Sequence, residues 1–310
     1  MNSPAKVRAF IISYRYRKID VIAEEWMTVL IDVLKAIFYG ILFGVTEWLP
    51  VSSEAHVFMA QSILPIQTAA DSAFMTLFVN VLRIAACFAC AAVFFNRIWP
   101  FTKRKSDVKK KAILRVWLMV FAASLPLIAV TWLMKDKFHN ILSSPITAGI
   151  MMIGIGALML CSGKFTKKPE QFAVKDVSFK TAVMTGCAQV LSLIPGASRS
   201  AVAMMAGRMS GLDRYTSGEF ACFLAIPALL STAVFKLSGL TIQWSLPVVL
   251  LLAAGACSCV LTSMYVIHSL LNYLRTGGVR LFGYYRIVLG LMMLIQSLLD
   301  LFPEGLGLLV

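Results

Sequence analysis

Charge is scarce in this chain. Only 14% of its 310 residues are charged, and Asp and Glu together number 15; soluble domains carry about 25% charged residues. With 59% hydrophobic residues and a mean hydropathy of +0.81, the scarcity excludes an ordinary soluble domain and reads as an integral membrane protein. A basic stripe with interleaved aromatics is also missing, so the net charge of +14 does not read as nucleic-acid binding. The Lys and Arg residues fall instead in short loops between apolar runs, the pattern of cytoplasmic loops facing an anionic leaflet. The seven Cys (87, 90, 161, 187, 222, 257 and 259) have neither a His nor a further Cys pair beside them. Cys87-Phe-Ala-Cys90 therefore reads as small packing residues rather than as a metal or redox motif. The N-terminus lacks a full apolar core for a signal peptide, having only Phe10–Ser13 among basic residues. Residues 1–26 read as a disordered extension or an upstream misreading of the start, with Met27 just ahead of the first long apolar run.

What is present is a series of apolar runs, at 28–50, 73–95, 113–134, 146–162, 217–239, 245–270 and 283–302. A membrane span needs about 20 such residues. Two shorter stretches, 54–64 and 180–194, are too short or too polar to cross. The chain also resembles itself. Gly44-Val-Thr-Glu47-Trp-Leu49-Pro50-Val-Ser52-Ser53 is echoed by Gly186-Cys-Ala-Gln189-Val-Leu191 followed by Ile194-Pro195-Gly196-Ala-Ser198-Arg199-Ser200. Each motif has Gly, then an acid or amide three residues on, then Leu, Pro and paired hydroxyls. A short helix and three long runs follow each.

An odd number of spans per copy inverts the second copy relative to the first, and broken helices of inverted repeats meet near the bilayer midplane. Non-helical backbone at that depth is tolerated only when buried in protein or lining a wet cavity. The expected fold is therefore an all-α polytopic membrane protein, an inverted repeat of a re-entrant helical hairpin plus three transmembrane helices, with six spans in total. The expected units are the extension 1–26, a first repeat over 27–162 with its hairpin at 28–64, a cytoplasmic linker over 163–179, and a second repeat over 180–302 with its hairpin at 180–211. Loop charge agrees: 96–112, 163–180 and 271–282 are basic and fall on one side if the hairpins are re-entrant, whereas 135–145 and 240–244 hold only Lys135 and Lys137. The alternative is a full span over 28–50, which puts the N-terminus inside and suits its basic residues; re-entrance is preferred.

Ionisable groups inside a membrane mark sites. Glu47 and His56 flank Pro50, where a helical hydrogen-bond ladder breaks. The pair Ser52-Ser53 is placed to cap the next helix, whose first turn holds Glu54, and that N-terminus attracts an anion. Pro195-Gly196-Ala197-Ser198-Arg199-Ser200 opens another helix with two hydroxyls, backbone N–H groups and a guanidinium suited to phosphate. The competing reading is a buried Arg199–Glu47 ion pair. Together the motifs suit phosphoryl transfer: Ser53 or His56 attacks phosphorus, a carboxylate takes the proton, and Arg199 stabilises the developing charge. A divalent cation, Mg or Ca, bridging Glu47 and phosphate adds to this. Arg83 lies inside a span and is not explained by position; pairing with Glu54 or Asp71, snorkelling and phosphate binding all stay open. Glu219 reads as a charge at a helix N-terminus.

On "GVTEWLPVSSEAH" (44–56) and "LIPGASRSAVAMMAGRMSGLDRY" (193–215), supported by "EFACFLAIP" (219–227) and "FGYYRIVLG" (282–290), the chain resembles the undecaprenyl-diphosphate phosphatase family of the bacitracin-resistance type. The likeness covers about residues 30–300. It implies a multi-pass enzyme of the bacterial plasma membrane that hydrolyses the lipid carrier diphosphate to the monophosphate at the outer face, recycling the carrier for cell-wall synthesis. Carried over by motif, the family's second acid falls on Glu47, its serines on Ser52 and Ser53, its His on His56 and its phosphate-binding Arg on Arg199, flanked by Ser198 and Ser200. Gly196 joins the phosphate-binding set, with Glu54 and Gln189 as further candidates. The implied partners are a polyprenyl diphosphate, membrane lipids and, as the one protein partner considered, a second copy of the chain. Five positions depart from the family pattern: Phe43 and Met75 stand where acids or an amide are usual, Glu54-Ala55 replaces Thr-Gly, and Ala203 replaces Thr. Glu54 is the expected substitute carboxylate. A polyprenyl-phosphate flippase and a catalytically weakened paralogue are the alternatives.

Overall fold

Runs of apolar residues without internal water force the backbone to satisfy itself, and the helix does so within one segment. In the computed structural model the described residues are 4–68, 72–102, 105–133, 144–166 and 168–301, with side chains from residue 23 onward. Ten helices carry the architecture: α1 Pro4–Thr46, α2 Ser53–Ile63, α3 Ser72–Val93, α4 Asp107–Leu133, α5 Pro145–Leu160, α6 Phe179–Gln189, α7 Arg199–Met209, α8 Arg214–Leu237, α9 Leu246–Thr276 and α10 Arg280–Leu301. Six are long and apolar enough to cross a membrane: Ala23–Thr46, Ala73–Val93, Asp107–Leu133, Arg214–Leu237, Leu246–Thr276 and Arg280–Leu299. The count agrees with expectation, but the membership differs. Helix α5, with 16 residues, falls short by length, whereas the first arm of the expected hairpin qualifies.

Packing follows an exchange rule. α1 lies along α9, and α6 lies along α4; α9 also packs on α3, and α4 on α8. α3 meets α8, and α5 meets α10. Shifting each label by five reproduces these pairs. The α5–α10 crossing is close because Gly149 faces the carbonyl of Gly290 and Gly156 that of Gly283, where an added Cβ would lie 3.0 and 2.9 Å from those oxygens. Such small residues let backbones approach where no hydrophobic effect drives helix association in lipid. Cysteines do similar work. Cys87 and Cys90 in α3 place their Sγ atoms 3.6 and 3.5 Å from the carbonyls of Ile226 and Cys222 in α8. Among the described residues all seven thiols are free.

Three helices, α2, α6 and α7, stop short. α1 breaks after Thr46 and α2 returns; the hairpin closes where Gln67 and Thr68 N–H donate to the fully buried Asp32 carboxylate (2.8 and 2.5 Å) and Lys35 Nζ donates to the Pro65 carbonyl (2.7 Å). At about 1.5 Å per residue, the 11 residues of α2 reach about 16 Å, half the hydrocarbon core of about 30 Å. α6 and α7 are also 11 residues each. They close where Thr181 Oγ1 meets the Ser210 carbonyl (3.3 Å) and where Gln171 Nε2 donates to Thr181 Oγ1 (3.1 Å).

The basic loops gather at one end of α8. Arg97 forms an ion pair with Glu219 and lies 3.4 Å from the Tyr215 hydroxyl; Arg275 stacks on the Tyr215 ring, 4.6 Å from its centroid. Gln171 accepts from Asp213 N–H (3.1 Å). Glu219 is thus a buried partner of Arg97 rather than a helix-terminal charge. The cap of α8 is Asp213, which accepts from Tyr215 and Thr216 N–H (3.1 and 3.0 Å).

Candidate functional site

Each hairpin turns at its Pro motif, and the two turns share one unusual backbone feature. Ser52 and Ser198 are the non-Gly residues with positive φ among the described residues, at 75° and 68°. That conformation costs about 1–3 kcal/mol and persists only where surroundings impose it. Each Ser directly precedes an 11-residue helix. Their hydroxyls differ. Ser198 Oγ accepts from Ala201 N–H (3.4 Å) and lies 3.2 Å from Ser200 Oγ. Ser52 makes no side-chain cap, contrary to the expectation for that pair. Ser53, one residue on, donates its hydroxyl to Glu47 Oε2 at 2.7 Å.

The turns meet. Arg199, the first residue of α7, forms an ion pair with Glu47 Oε1, and Ser200 Oγ donates to the Leu49 carbonyl at 2.8 Å. A cavity of about 190 Å³ opens beside them, lined by Glu47, Ser52, Ser53, Glu54, Ser198, Arg199 and Ser200. Its remaining wall comes from Thr46, from Arg83 on α3, from Ser192, Leu193 and Pro195 ahead of α7, and from the last turns of α4 (Leu127, Val130, Thr131) and α8 (Leu229, Thr232, Phe235, Lys236). Pro126 and Pro227 each lie just before those segments and each removes one backbone hydrogen bond there. The cavity wall on α8 is 14 to 21 residues beyond Tyr215, about 20–30 Å along the helix axis from the basic loops.

Three expected residues lie elsewhere. His56 is buried against α10: Nδ1 is 2.7 Å from the Ser52 carbonyl, Nε2 is 2.7 Å from the Tyr285 hydroxyl, and the two rings stack. It holds the turn from behind and does not line the cavity. Gln189 is buried, and neither amide atom finds a partner among the described residues. Gly196 adopts φ +86°, and a Cβ there would collide with the Ala148 carbonyl; its part is to let the turn pass α5. Glu54 does line the cavity, but it is turned to Arg83 (2.7 Å) rather than to Glu47. That contact is one of the pairings left open for Arg83, and Asp71 lies outside the described residues.

Arg286 escaped the sequence reading. It is fully buried in α10 and donates to the carbonyls of Pro50 (3.3 Å), Gly196 and Ala197 (3.1 Å). One guanidinium therefore ties the two turns together. The signal was available: an Arg inside the apolar run 283–302, within the quoted segment 282–290, meets the rule that intramembrane charge marks function.

A family model described as "Bacitracin resistance protein BacA" matches residues 36–292. The chain belongs to this family. Among its curated relatives is an "Undecaprenyl-diphosphatase" of Enterococcus faecalis, 35% identical over 269 residues, which cover 86% of this chain and 97% of the relative. An "Undecaprenyl-diphosphatase" of Lachnoclostridium phytofermentans is 32% identical, covering 84% of this chain and 95% of the relative. An "Undecaprenyl-diphosphatase 1" of Clostridioides difficile is 32% identical over 86% of this chain and 96% of the relative.

The residues present do not fit a resident divalent cation. Glu47 has one oxygen against Arg199 and the other taken by Ser53, and Glu54 is paired with Arg83. Phe43 is fully buried and apolar, and Met75 packs against the core. Among the described residues no three His, Cys, Asp or Glu side chains gather closely enough to hold a metal.

Proposed function

We propose that the chain is an undecaprenyl-diphosphate phosphatase that hydrolyses the polyprenyl diphosphate carrier to its monophosphate and so returns the carrier to cell-wall synthesis. The relatives' names and family support the reaction. The observation that carries the site is the chain of contacts Ser53–Glu47–Arg199 on the wall of one cavity. A hydroxyl hydrogen-bonded to a carboxylate is an activated nucleophile. Ser53 Oγ attacks the terminal phosphorus as Glu47 takes its proton; the anhydride P–O bond breaks, and the lipid monophosphate leaves. Water then cleaves the phosphoserine, giving inorganic phosphate and restoring Ser53. Arg199, released in part from Glu47, supplies the fixed positive charge for the phosphoryl oxygens. His56 positions the Ser52–Ser53 turn through the Ser52 carbonyl.

We further propose that the two halves are inverted and that the cavity opens to the outer face of the plasma membrane. In support, the first hairpin closes beside the N-terminus of α3, and the second closes at Gln171 and Ser210, beside the basic loops. The cavity walls are the far ends of α4 and α8 from those loops, and basic loops are cytoplasmic.

The test is phosphate release from C15 or C55 diphosphate by purified protein in detergent. Wild-type release abolished by Arg199→Ala is expected. A folded protein that binds lipid phosphate yet releases none overturns hydrolysis in favour of lipid transport.

A further inference from the structure

Two cations on the cavity wall have no part in the chemistry above. Arg83 projects from the middle of α3, 5% exposed; Nη1 donates to Asn80 Oδ1 at 2.8 Å and Nη2 to Glu54 at 2.7 Å. Lys236 stands in the last turn of α8, exposed and lining the same cavity. The charged lining is thus Glu47 with Arg199, Glu54 with Arg83, and Lys236 in excess. A phosphoryl group held at Arg199 leaves the second phosphate of a diphosphate to be neutralised by something else. Hard divalent cations commonly bridge such phosphates through one or two carboxylates. Here each lining carboxylate already faces a guanidinium.

The geometry points to a second phosphate subsite formed by Arg83 and Lys236, in which fixed cations supply the charge that a divalent ion would otherwise bring. Glu54 holds Arg83 against the wall until a phosphate competes for it. The ligand class is a diphosphate, distinguished from a monophosphate by filling both subsites. This deepens the phosphatase reading and rests on it for the identity of the substrate, but the binding preference is measurable without turnover.

The test uses the full chain in detergent, stripped with EDTA, with inorganic pyrophosphate and inorganic phosphate as probes in calorimetry and thermal shift. Pyrophosphate is expected to bind at least about tenfold tighter than phosphate, the scale of one charge-assisted contact. Arg83→Gln should erase that preference, and Lys236→Gln, at an exposed position, should reduce it by about two- to fivefold. Should Arg83→Gln not fold, Arg83→Lys and Lys236→Gln carry the comparison. Equal affinity for the two probes in EDTA, a preference untouched by the Lys236 and Arg83 variants, or tight binding only after Mg²⁺ addition overturns the subsite. C15 diphosphate binding at least as tightly as pyrophosphate assigns a lipid source for the ligand; the reverse assigns the free anion. Absence of phosphate release with the preference intact refutes hydrolysis and leaves the subsite standing.

Discussion

The two hairpins have returning helices of the same length, the same Pro-led turn and the same strained serine, yet they bring different chemistry. The first, around Glu47 and Ser53, holds the proton acceptor and the hydroxyl. The second, around Arg199, holds the charge, and its serine side chain is spent on capping α7. The two matching turns thus divide the roles between them. In the first turn the hydroxyl next to the strained Ser52 is directed to a carboxylate; in the second, the residue next to the strained Ser198 is the arginine that answers that carboxylate.

Removing the charge should break the comparison most. Arg199→Ala is expected to lower phosphate release by about 10³-fold or more, the scale of a lost transition-state donor in a dry site. Arg199→Lys should not restore it, because an ammonium lacks the two-pronged fork. Ser53→Ala comes next, with a loss of about 10²- to 10⁴-fold as expected for a missing activated hydroxyl; near-normal turnover would transfer the nucleophile to water. Arg286→Met tests whether the turns depend on a shared anchor. It strands three carbonyls, so a loss of about 3 kcal/mol in stability is expected, read as a lowered unfolding temperature, while Tyr285→Phe leaves it nearly unchanged. The smallest effect should follow His56→Gln: about tenfold or less in rate, the scale of one hydrogen bond. A complete loss there, in a folded protein, would return His56 to the chemistry.

Much of this site was legible beforehand because intramembrane polar groups are few and costly. Glu47, Ser53 and Arg199 stand out against apolar runs, and the internal likeness of the two Pro motifs requires their turns to meet in protein rather than lipid. What stayed hidden was direction. Ser52 and Ser198 share a positive φ, yet only Ser198 caps its helix, and no spacing rule reports that difference. His56 lies three residues beyond Ser53, only about 60° around α2, and within that angle Ser53 faces the cavity and His56 faces α10. Glu54 suggests a substitute carboxylate by its closeness to His56, and choosing its Arg83 pairing among the open readings needs the fold, because the two stand 29 residues apart on different helices. The six-span count was recoverable from hydropathy, whereas the shortness of α5 and the length of the first hairpin arm were not.

The anchoring guanidinium of Arg286 sits on the last helix of the chain, near its C-terminal end, and this sets an order on biogenesis. Synthesis delivers both turns to the bilayer well before it delivers the residue that clamps them. Until α10 inserts, the Pro50, Gly196 and Ala197 carbonyls have no common donor, and the reactive groups are not locked in register. A polypeptide ending ahead of position 286 should therefore be inert toward lipid phosphates, so that activity arrives only once α10 is in place.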